Sequence, residues 1–435
     1  MDVNGRHITV FGMAKSGRAV AALLREHGAI VRVSDQKPRG ELGALDFDFV
    51  PQSPEALAGC ELAVLSPGVP PDQAIFHGVH VVGDVEAASW FLRGPILGIT
   101  GANGKTTTTA LTGHLLQTAG IPAQVGGNIG TPLAEMVAAS RDDQWNVLEL
   151  SSFQLETTET LHVRIAVALN LTPDHLDRHG DMERYAAAKA RIFRNQTADD
   201  YAVLNAENET TVEYAALTPA QVRWFHAGAS VHPGVWCESG RLLAYGEPFL
   251  DVSEISLRGR HNVENILAAA CAAQLAGASL TAIAAGVRSF PGVEHRIEFV
   301  RTLNGVSYYN DSKATNVDAT IKALESFDSG LWVILGGKDK NSDYTTLRAL
   351  LHSRAKAVLL IGAAADKIES HLSGCVRMER CGDLRTAIML ARAGAQPGDT
   401  VLLAPACASF DQFTGYEQRG RAFKEIVSSL SEEQV

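Results

Sequence analysis

The stretch Ile96-Leu97-Gly98-Ile99-Thr100-Gly101-Ala102-Asn103-Gly104-Lys105-Thr106-Thr107-Thr108-Thr109 decides the fold. Ile96, Leu97 and Ile99 form a short apolar run bounded by turn residues, the pattern of a buried strand. A Gly101-x-x-Gly104-Lys105-Thr106 turn follows, and then a segment of helical character to Ala119, stopped by Gly120 and Pro122. Strand, Gly-rich turn, Lys, hydroxyl and helix together make a cradle for a nucleotide triphosphate. The glycines let backbone N–H groups face the phosphates, and the helix N-terminus adds positive potential. Lys105 would neutralise β/γ-phosphate charge, and Thr106 would offer its hydroxyl to Mg²⁺. The general Walker A spacing puts a glycine where this chain has Ile99, so this is a phosphate loop of a shortened kind. Gly101, Ala102, Asn103, Gly104, Lys105, Thr106 and Thr107 are its candidate nucleotide contacts. The competing reading is an ordinary strand-turn-helix corner.

Around this loop the chain has room for about three domains at ~150 residues each, being 435 residues long. Hydrophobic residues make up 46% and charged residues 20%, the balance of a globular protein with ample core. The net charge of −11 argues against a nucleic-acid or membrane-surface partner. Anionic ligands must then be held by helix ends, Mg²⁺ and individually placed Lys or Arg. Six cysteines are scattered without a C-x-x-C pair, which fits free thiols in a reducing cytoplasm. Met1 to His7 is polar and carries no signal-peptide pattern. Ile266 to Val287 is apolar but interrupted by Gly277, Ser279 and Thr281, so it reads as two packed helices and not as a membrane span.

Residues 1–93 alternate short apolar strands with helices, the start of a dinucleotide-type βαβ fold. The first turn, Gly12-Met13-Ala14-Lys15-Ser16-Gly17, lacks the G-x-G-x-x-G spacing, so a nicotinamide cofactor is a weak reading. Asp35 ends the second strand and is either a ribose partner or a plain turn residue. Ser66-Pro67-Gly68 is another tight turn at a strand end, where α/β folds place ligands.

From 94 to 298 the phosphate loop is joined by further strand ends. Gly126-Gly127-Asn128-Ile129-Gly130 allows close backbone approach. Glu149 interrupts an apolar strand beside the loop, the position expected of a Mg²⁺-holding carboxylate. Asp174, His175, Asp177, Arg178 and His179 cluster just past another strand. Lys189, in Tyr185-Ala-Ala-Ala-Lys189, reads on its own as a solvated helix lysine. Asn262 and Asn265 share a helix face, and Arg296 could reach a phosphate. From 299 to 435 a fresh alternation begins, and polar groups again follow most strands: Asn310 to Asn316, Gly336 to Lys340, and Pro405 to Asp411. Their recurrence favours a shared binding edge.

The motifs as a set resemble the Mur ligases, from T-G-A-N-G-K-T-T through G-G-N-I-G, L-E-L-S-S-F-Q-L-E, D-H-L-D-R-H, Y-A-A-A-K-A-R-I-F, H-N-V-E-N, E-H-R-I-E and N-D-S-K-A-T-N to A-P-A-C-A-S-F-D-Q-F. The likeness runs nearly end to end and is strongest to the family's D-glutamate-adding members. It implies an α/β chain of three domains: a Rossmann-like UDP domain at 1–93, a mostly parallel phosphate-loop ATPase at 94–298, and a Rossmann-like domain for the amino acid at 299–435. It implies a cytoplasmic, monomeric ligase using ATP, with two Mg²⁺ ions (Mn²⁺ as a substitute), that joins D-glutamate to UDP-MurNAc-L-Ala through an acyl phosphate. It assigns Lys105, Glu149, His175 and Lys189 to catalysis. Thr106, Glu149, His175 and a carbamylated Lys189 fall on the metal side, which reverses the solvated reading of that lysine. Asn262, Asn265, Arg296, Asp311 and Lys313 join the ATP site. Lys15, Ser16, Gln36, Lys37, Ser66, Gly68, Asn128, Ser151 and His175 fall to the UDP-sugar, and Thr315, Lys340, Ser409 and Tyr416 to D-glutamate. Whether Lys338 or Lys340 meets the side-chain carboxylate stays open. So do a sibling amide ligase of the folylpolyglutamate synthase type and, in a different class, a phosphate-loop nucleotide switch.

Overall fold

Short runs of Val, Ile, Leu and Ala become buried strands, and the segments between them become helices that cover the strands. A computed structural model describes residues 1–257 and 259–431, with the side chain of Asp177 outside that description, so the last four residues of the third region are not covered. The first sheet comprises β1 (His7–Phe11), β2 (Ile30–Ser34), β3 (Asp48–Phe49), β4 (Leu62–Leu65) and β5 (Val81–Gly83). Its order is β3-β2-β1-β4-β5, with every pair parallel. The chain therefore reverses its winding between β1 and β4, the place where such sheets open a ligand crevice. The helix Lys15–Glu26 buries Val20, Ala21 and Leu24 against Val10, Val33 and Val64. Gly17 is obligatory there, because a Cβ would collide with the Gly12 carbonyl and approach the Ser66 hydroxyl. Asp35 is engaged in this turn: its carboxylate accepts from the Met13 N–H at 2.6 Å and the Lys37 N–H at 2.8 Å. Of its two readings, the structure realises the turn residue.

The second sheet has nine strands: β6 (Ile96–Thr100), β7 (Ala123–Gly127), β8 (Trp145–Glu149), β9 (Ile165–Ala168), β10 (Tyr201–Asn205), β11 (Gln221–His226), β12 (Gly234–Glu238), β13 (Arg241–Ala244) and β14 (Glu247–Asp251). In the order β14-β13-β12-β11-β10-β9-β6-β8-β7, all pairs are parallel except the β12-β13-β14 meander. β6 is buried throughout, flanked by β8 and β9. The alanine-rich stretch forms two helices, Arg260–Leu275 and Leu280–Ser289, as its glycine and hydroxyl interruptions require. No helix among the described residues is long and apolar enough to cross a membrane.

The third sheet comprises β15 (Glu298–Leu303), β16 (Val306–Asn310), β17 (Leu331–Gly336), β18 (Ala355–Ile361), β19 (Met378–Gly382) and β20 (Thr400–Leu403). Its order is β15-β16-β20-β17-β18-β19, parallel apart from the β15 edge. Hydrophobic cores cover both of its faces. β20 returns between β16 and β17, which sets the loops after these three strands side by side. The α/β class and largely parallel sheets agree with the sequence reading. By compactness the chain divides into two units, Met1–Ile255 with Arg260–Phe290, and Ser256–Gly259 with Pro291–Val435. The first two sheets belong to the first unit.

Within that unit, one buried carboxylate ties the two sheets' layers together. Glu86, on the helix Asp84–Ser89, accepts from Trp90 Nε1 at 3.0 Å and from the backbone N–H groups of Glu159, Thr160 and Leu161 at 2.9, 2.8 and 3.1 Å. It also accepts from the Thr160 hydroxyl. Burial alone would raise its pKa, but these hydrogen bonds outweigh burial and hold the carboxyl below its ordinary value. Glu86→Gln should cost about 2 kcal/mol of stability at neutral pH, read from the denaturant midpoint. Because the folded pKa is depressed, the contribution is complete above the unfolded value of about 4.3 and is lost as pH falls through the folded value. The gap between wild type and variant should therefore close in acid; a constant gap would contradict this account.

Candidate active site

The phosphate loop is built by close approach. Gly101 (φ 156°) and Gly104 (φ 84°) take backbone conformations that favour glycine, and a Cβ on Gly104 would strike Asn265 Oδ1. Asn170, just past β9, pins the loop: its carbonyl accepts from the Ala102 N–H at 2.9 Å and its side chain from the Asn103 N–H at 2.9 Å. Gly104 caps the helix Lys105–Thr118, whose first turn carries the half-buried Thr106 and Thr107. Beneath it, Asn262 and Asn265 lie on one helix face, as their spacing requires, joined at 3.1 Å; Thr108 Oγ1 donates to Asn265 at 3.3 Å. Both asparagines are buried, so they brace the loop from behind.

Two lysines converge on one carbonyl. Lys105 Nζ donates to Gly101 O and Ala102 O at 2.8 Å, and Lys189 Nζ donates to the same Gly101 O at 2.8 Å. Lys189 is 2% exposed, at the end of the helix Met182–Ala190. The solvated reading of this residue is overturned, because its amine points into the protein. Burial first, and then repulsion from Lys105, push its pKa down to about 7, against the pull of Asp174 and Glu149. Its amine also sits 4.6 Å from the centre of the Tyr185 ring. Tyr185 is fully buried and its hydroxyl has no hydrogen-bond partner among the described residues. The sequence reading places Tyr185 on this helix without singling it out as a site residue, although its i, i+4 spacing from Lys189 was available as a signal.

Glu149, the last residue of β8, is 2% exposed. Asn128 Nδ2 donates to its Oε1 at 2.8 Å, while its Oε2 has no hydrogen-bond partner among the described residues. A buried carboxylate oxygen left over in this way is expensive. A hard cation is the partner that suits it, and the hydroxyl of Thr106 belongs to the same oxygen-donor chemistry. The residues thus fit Mg²⁺. Among the described residues no three His, Cys, Asp or Glu side chains converge as a ready-made metal cage, which is the usual case for Mg²⁺ shared with substrate phosphates. His175 stands in the left-handed region (φ 53°), its ring 4.8 Å from Phe153 and 6.3 Å from Tyr185. The turn that carries it is fixed by Arg178, which ion-pairs with Glu156 and lies 5.0 Å from the Phe153 ring, and by His179, bonded to Ser152 at 3.0 Å.

On the first sheet, Ser66 donates to Gly12 O at 2.7 Å, and the Val69 N–H closes the Ser66-Pro67-Gly68 turn at 2.9 Å. Ser16 is hydrogen-bonded to the buried Asp84, whose carboxyl is pushed up to about 6 by burial. Gln36 and Lys37 are exposed beside this edge. Lys15 Nζ donates to Gly130 O at 2.7 Å, joining the first sheet to the Asn128 loop. Ser151 caps the helix Ser152–Leu155 in a reciprocal pair with Gln154.

The second unit carries the remaining candidates on its own strand ends. Asp311, after β16, is buried, and burial raises its carboxyl to about 7 against the effect of Arg296. Lys313 Nζ lies 4.0 Å from the centre of the Tyr416 ring. Thr315 is half-buried on the same loop, Ser409 is buried after β20, and Lys338 and Lys340 are exposed after β17. The backbones of Lys338 and Ala408 bond each other at 2.8 and 3.2 Å, which locks the last two loops together. His295 and Arg419, both buried here, were not picked out from the sequence. His295 sits in the quoted E-H-R-I-E motif, whereas an arginine in an exposed-looking helical pattern gives no sign that it is buried.

Comparisons with known proteins complete the picture. Residues 99–273 match the Mur ligase middle domain, and residues 295–407 match the Mur ligase glutamate ligase domain. A UDP-N-acetylmuramoylalanine–D-glutamate ligase of Solibacter usitatus (strain Ellin6076) is 56% identical over 438 residues, covering 99% of each chain. The chain belongs to the Mur ligase family. Relatives of the same description in Acidobacterium capsulatum and Koribacter versatilis are 51% and 49% identical, covering 98% and 100% of this chain and 97% and 100% of their own lengths. The fold of this Mur ligase is also that of a UDP-N-acetylmuramate-alanine ligase from Thermotoga maritima, with a TM-score of 0.61 at 19% identity, covering 98% of this chain and 99% of the other. A UDP-N-acetylmuramoyl-L-alanyl-D-glutamate–2,6-diaminopimelate ligase gives 0.58 at 21%, covering 98% and 93%.

Gly104→Ala tests the loop. Its Cβ must displace either the backbone or Asn265, so the melting temperature should fall, and binding of a Mg²⁺-bound non-hydrolysable ATP analogue to the folded variant should weaken at least about tenfold by calorimetry. Unchanged affinity would show that the loop does not hold phosphates.

Proposed function

We propose that this Mur ligase joins D-glutamate to UDP-N-acetylmuramoyl-L-alanine at the expense of ATP, in the cytoplasm and as a monomer, with the UDP, ATP and amino-acid ends carried by residues 1–93, 94–298 and 299–435. Its full-length relatives are described as ligases of this kind. The observation that carries the reading is the convergence of Lys105 and Lys189 on one carbonyl, with the spare oxygen of Glu149 on the neighbouring strand. That arrangement suits an anionic phosphoryl group being passed to a carboxylate.

A carboxylate is a poor electrophile until one of its oxygens becomes a leaving group. Its oxygen attacks the γ-phosphorus, the bond to the β-γ bridging oxygen breaks, and acyl phosphate and ADP form. The free amine of D-glutamate then adds to the carbonyl carbon. The tetrahedral intermediate expels phosphate, the nitrogen loses its proton, and the amide remains. Lys105 offsets negative charge on the β/γ-phosphates, and the loop N–H groups orient them. Thr106, Glu149 and His175 would hold Mg²⁺, which supplies electrophilic charge neutralisation between the two anions. Lys189, with a pKa near neutrality, is a nucleophilic amine at physiological pH and suited to carbamylation by CO₂. The resulting carboxylate would serve a second Mg²⁺. Thr315, Lys340, Ser409 and Tyr416 form the amino-acid side, and Lys15, Ser16, Gln36, Lys37, Ser66, Gly68, Asn128 and Ser151 the UDP-sugar side.

Phosphate release from Mg²⁺-ATP tests the reading. Sustained release should require both UDP-MurNAc-L-Ala and D-glutamate, and should yield a product heavier by one glutamate residue. Release indifferent to D-glutamate would instead point to another acceptor or to a nucleotide switch. Lys189→Ala should abolish ligation without rescue by bicarbonate, and should remove a ¹³C-bicarbonate-derived carbamate resonance seen in wild type. Full activity of the variant would eliminate the carbamate role.

A further inference from the structure

Arg419 is the largest fully buried side chain among the described residues, 1% exposed, on the helix Tyr416–Ser429. Among the described residues no carboxylate comes within ion-pair distance of its guanidinium, and Asp411 acts on it only from farther off. Its partners are oxygens of two loops: Nε donates to Ser312 Oγ at 2.9 Å, Nη2 to Ser312 O at 2.9 Å, and both Nη atoms to Cys407 O at 3.2 Å. Ser312 Oγ in turn donates to Tyr416 O at 2.8 Å. A third loop reaches the same group, since a Cβ on Gly337 would lie 3.2 Å from Nη1. One guanidinium therefore bonds the loops after β16 and β20, and the Lys338–Ala408 backbone pair ties the loop after β17 to the second of them.

A hydrophobic anchor of similar volume could have filled this space without burying a charge, and buried charge is retained at a cost. Burial indeed pushes the guanidinium down to about 10. The fork geometry explains part of the choice, because Arg holds its donors in a rigid planar fork and Lys does not. The remainder is electrostatic. Thr315 lies three residues past Ser312, Ser409 two past Cys407, and Lys338 and Lys340 just past Gly337, so a positive charge at the root of these loops favours an anion over them. D-Glutamate, a dianionic amine donor, is such an anion, and the inference rests on the proposed amino-acid side of this unit.

We infer that Arg419 is a positioning residue for the incoming amino acid: it sets the three loops in register and supplies positive potential from beneath the glutamate carboxylates.

Steady-state ligation by the full-length Arg419→Gln variant is the test, with Arg419→Lys as the conservative partner. In Gln, KM for D-glutamate should rise at least about tenfold while KM for ATP moves less than about twofold. Lys, which keeps the charge but not the fork, should recover part of the loss in KM. Hydroxylamine, a small neutral nucleophile, separates this inference from the reading it rests on. With UDP-MurNAc-L-Ala and ATP but no glutamate, the Gln variant should release phosphate and form hydroxamate as wild type does. A fall in hydroxamate formation equal to the fall in ligation, or KM values for ATP and glutamate that rise together, would make Arg419 a general structural residue and overturn the inference. Wild type that forms no hydroxamate and shows no D-glutamate dependence would defeat the ligase reading itself. Should Gln fail to fold, Ser312→Ala removes the Nε acceptor while leaving the charge in place. It should raise KM for glutamate by a smaller factor without touching KM for ATP; no change would count against the inference.

Discussion

The carbonyl of Gly101 accepts from two lysines at once, and much of the first unit follows from that contact. Two ammonium groups on one oxygen repel each other, so the arrangement favours either the loss of a proton or the arrival of an anion. Lys189 shows the first response: burial first, and this repulsion second, bring its pKa down to about 7. A triphosphate would supply the second. Both lysines can reach the carbonyl only because the loop folds tightly through Gly101 and Gly104 while Asn170 and Asn265 grip it from either side. The buried β6 strand then fixes this loop against β8, which ends in Glu149. A site charged in two senses is thus set into an apolar sheet, where electrostatic interactions are worth most.

The second unit solves a related problem differently. The three loops that carry its candidate residues come from strands that neighbour one another because β20 inserts between β16 and β17. Backbone bonds between Lys338 and Ala408 join two of these loops, and Arg419 bonds the loop after β20 to the loop after β16. The exposed lysines are therefore mounted on a rigid base, which is what selective recognition of a small, doubly negative molecule requires.

Much of this was readable in the chain itself. The phosphate loop announced its strand, turn and helix because glycine spacing and an apolar run are local signals. Glu149 stood out as a carboxylate ending an apolar strand. The strand-end clusters after β16, β17 and β20 were visible as repeated polar groups, although their side-by-side order was not, since strand order is set by long-range pairing. Lys189 was the instructive failure of residue-level reasoning. A lysine among alanines on a helix looks solvated, and only the packing of that helix against the loop buries it. The family resemblance, and not local chemistry, is what set the solvated reading aside before the packing was known. Asp35 went the other way, spent on two backbone N–H groups that no sequence pattern reveals. Arg419 was invisible for the same reason as Lys189: burial of a cation is a tertiary property.

The central claim is that ATP activates a carboxylate by direct phosphoryl transfer. Positional isotope transfer tests it most directly. With both oxygens of the alanyl carboxylate of UDP-MurNAc-L-Ala labelled with ¹⁸O, and D-glutamate and ATP present, one labelled oxygen should appear in each phosphate released, as read by mass spectrometry or ³¹P NMR. Phosphate whose new oxygen comes only from water would mean that hydrolysis and amide formation are separate events, and the acyl-phosphate account would be wrong.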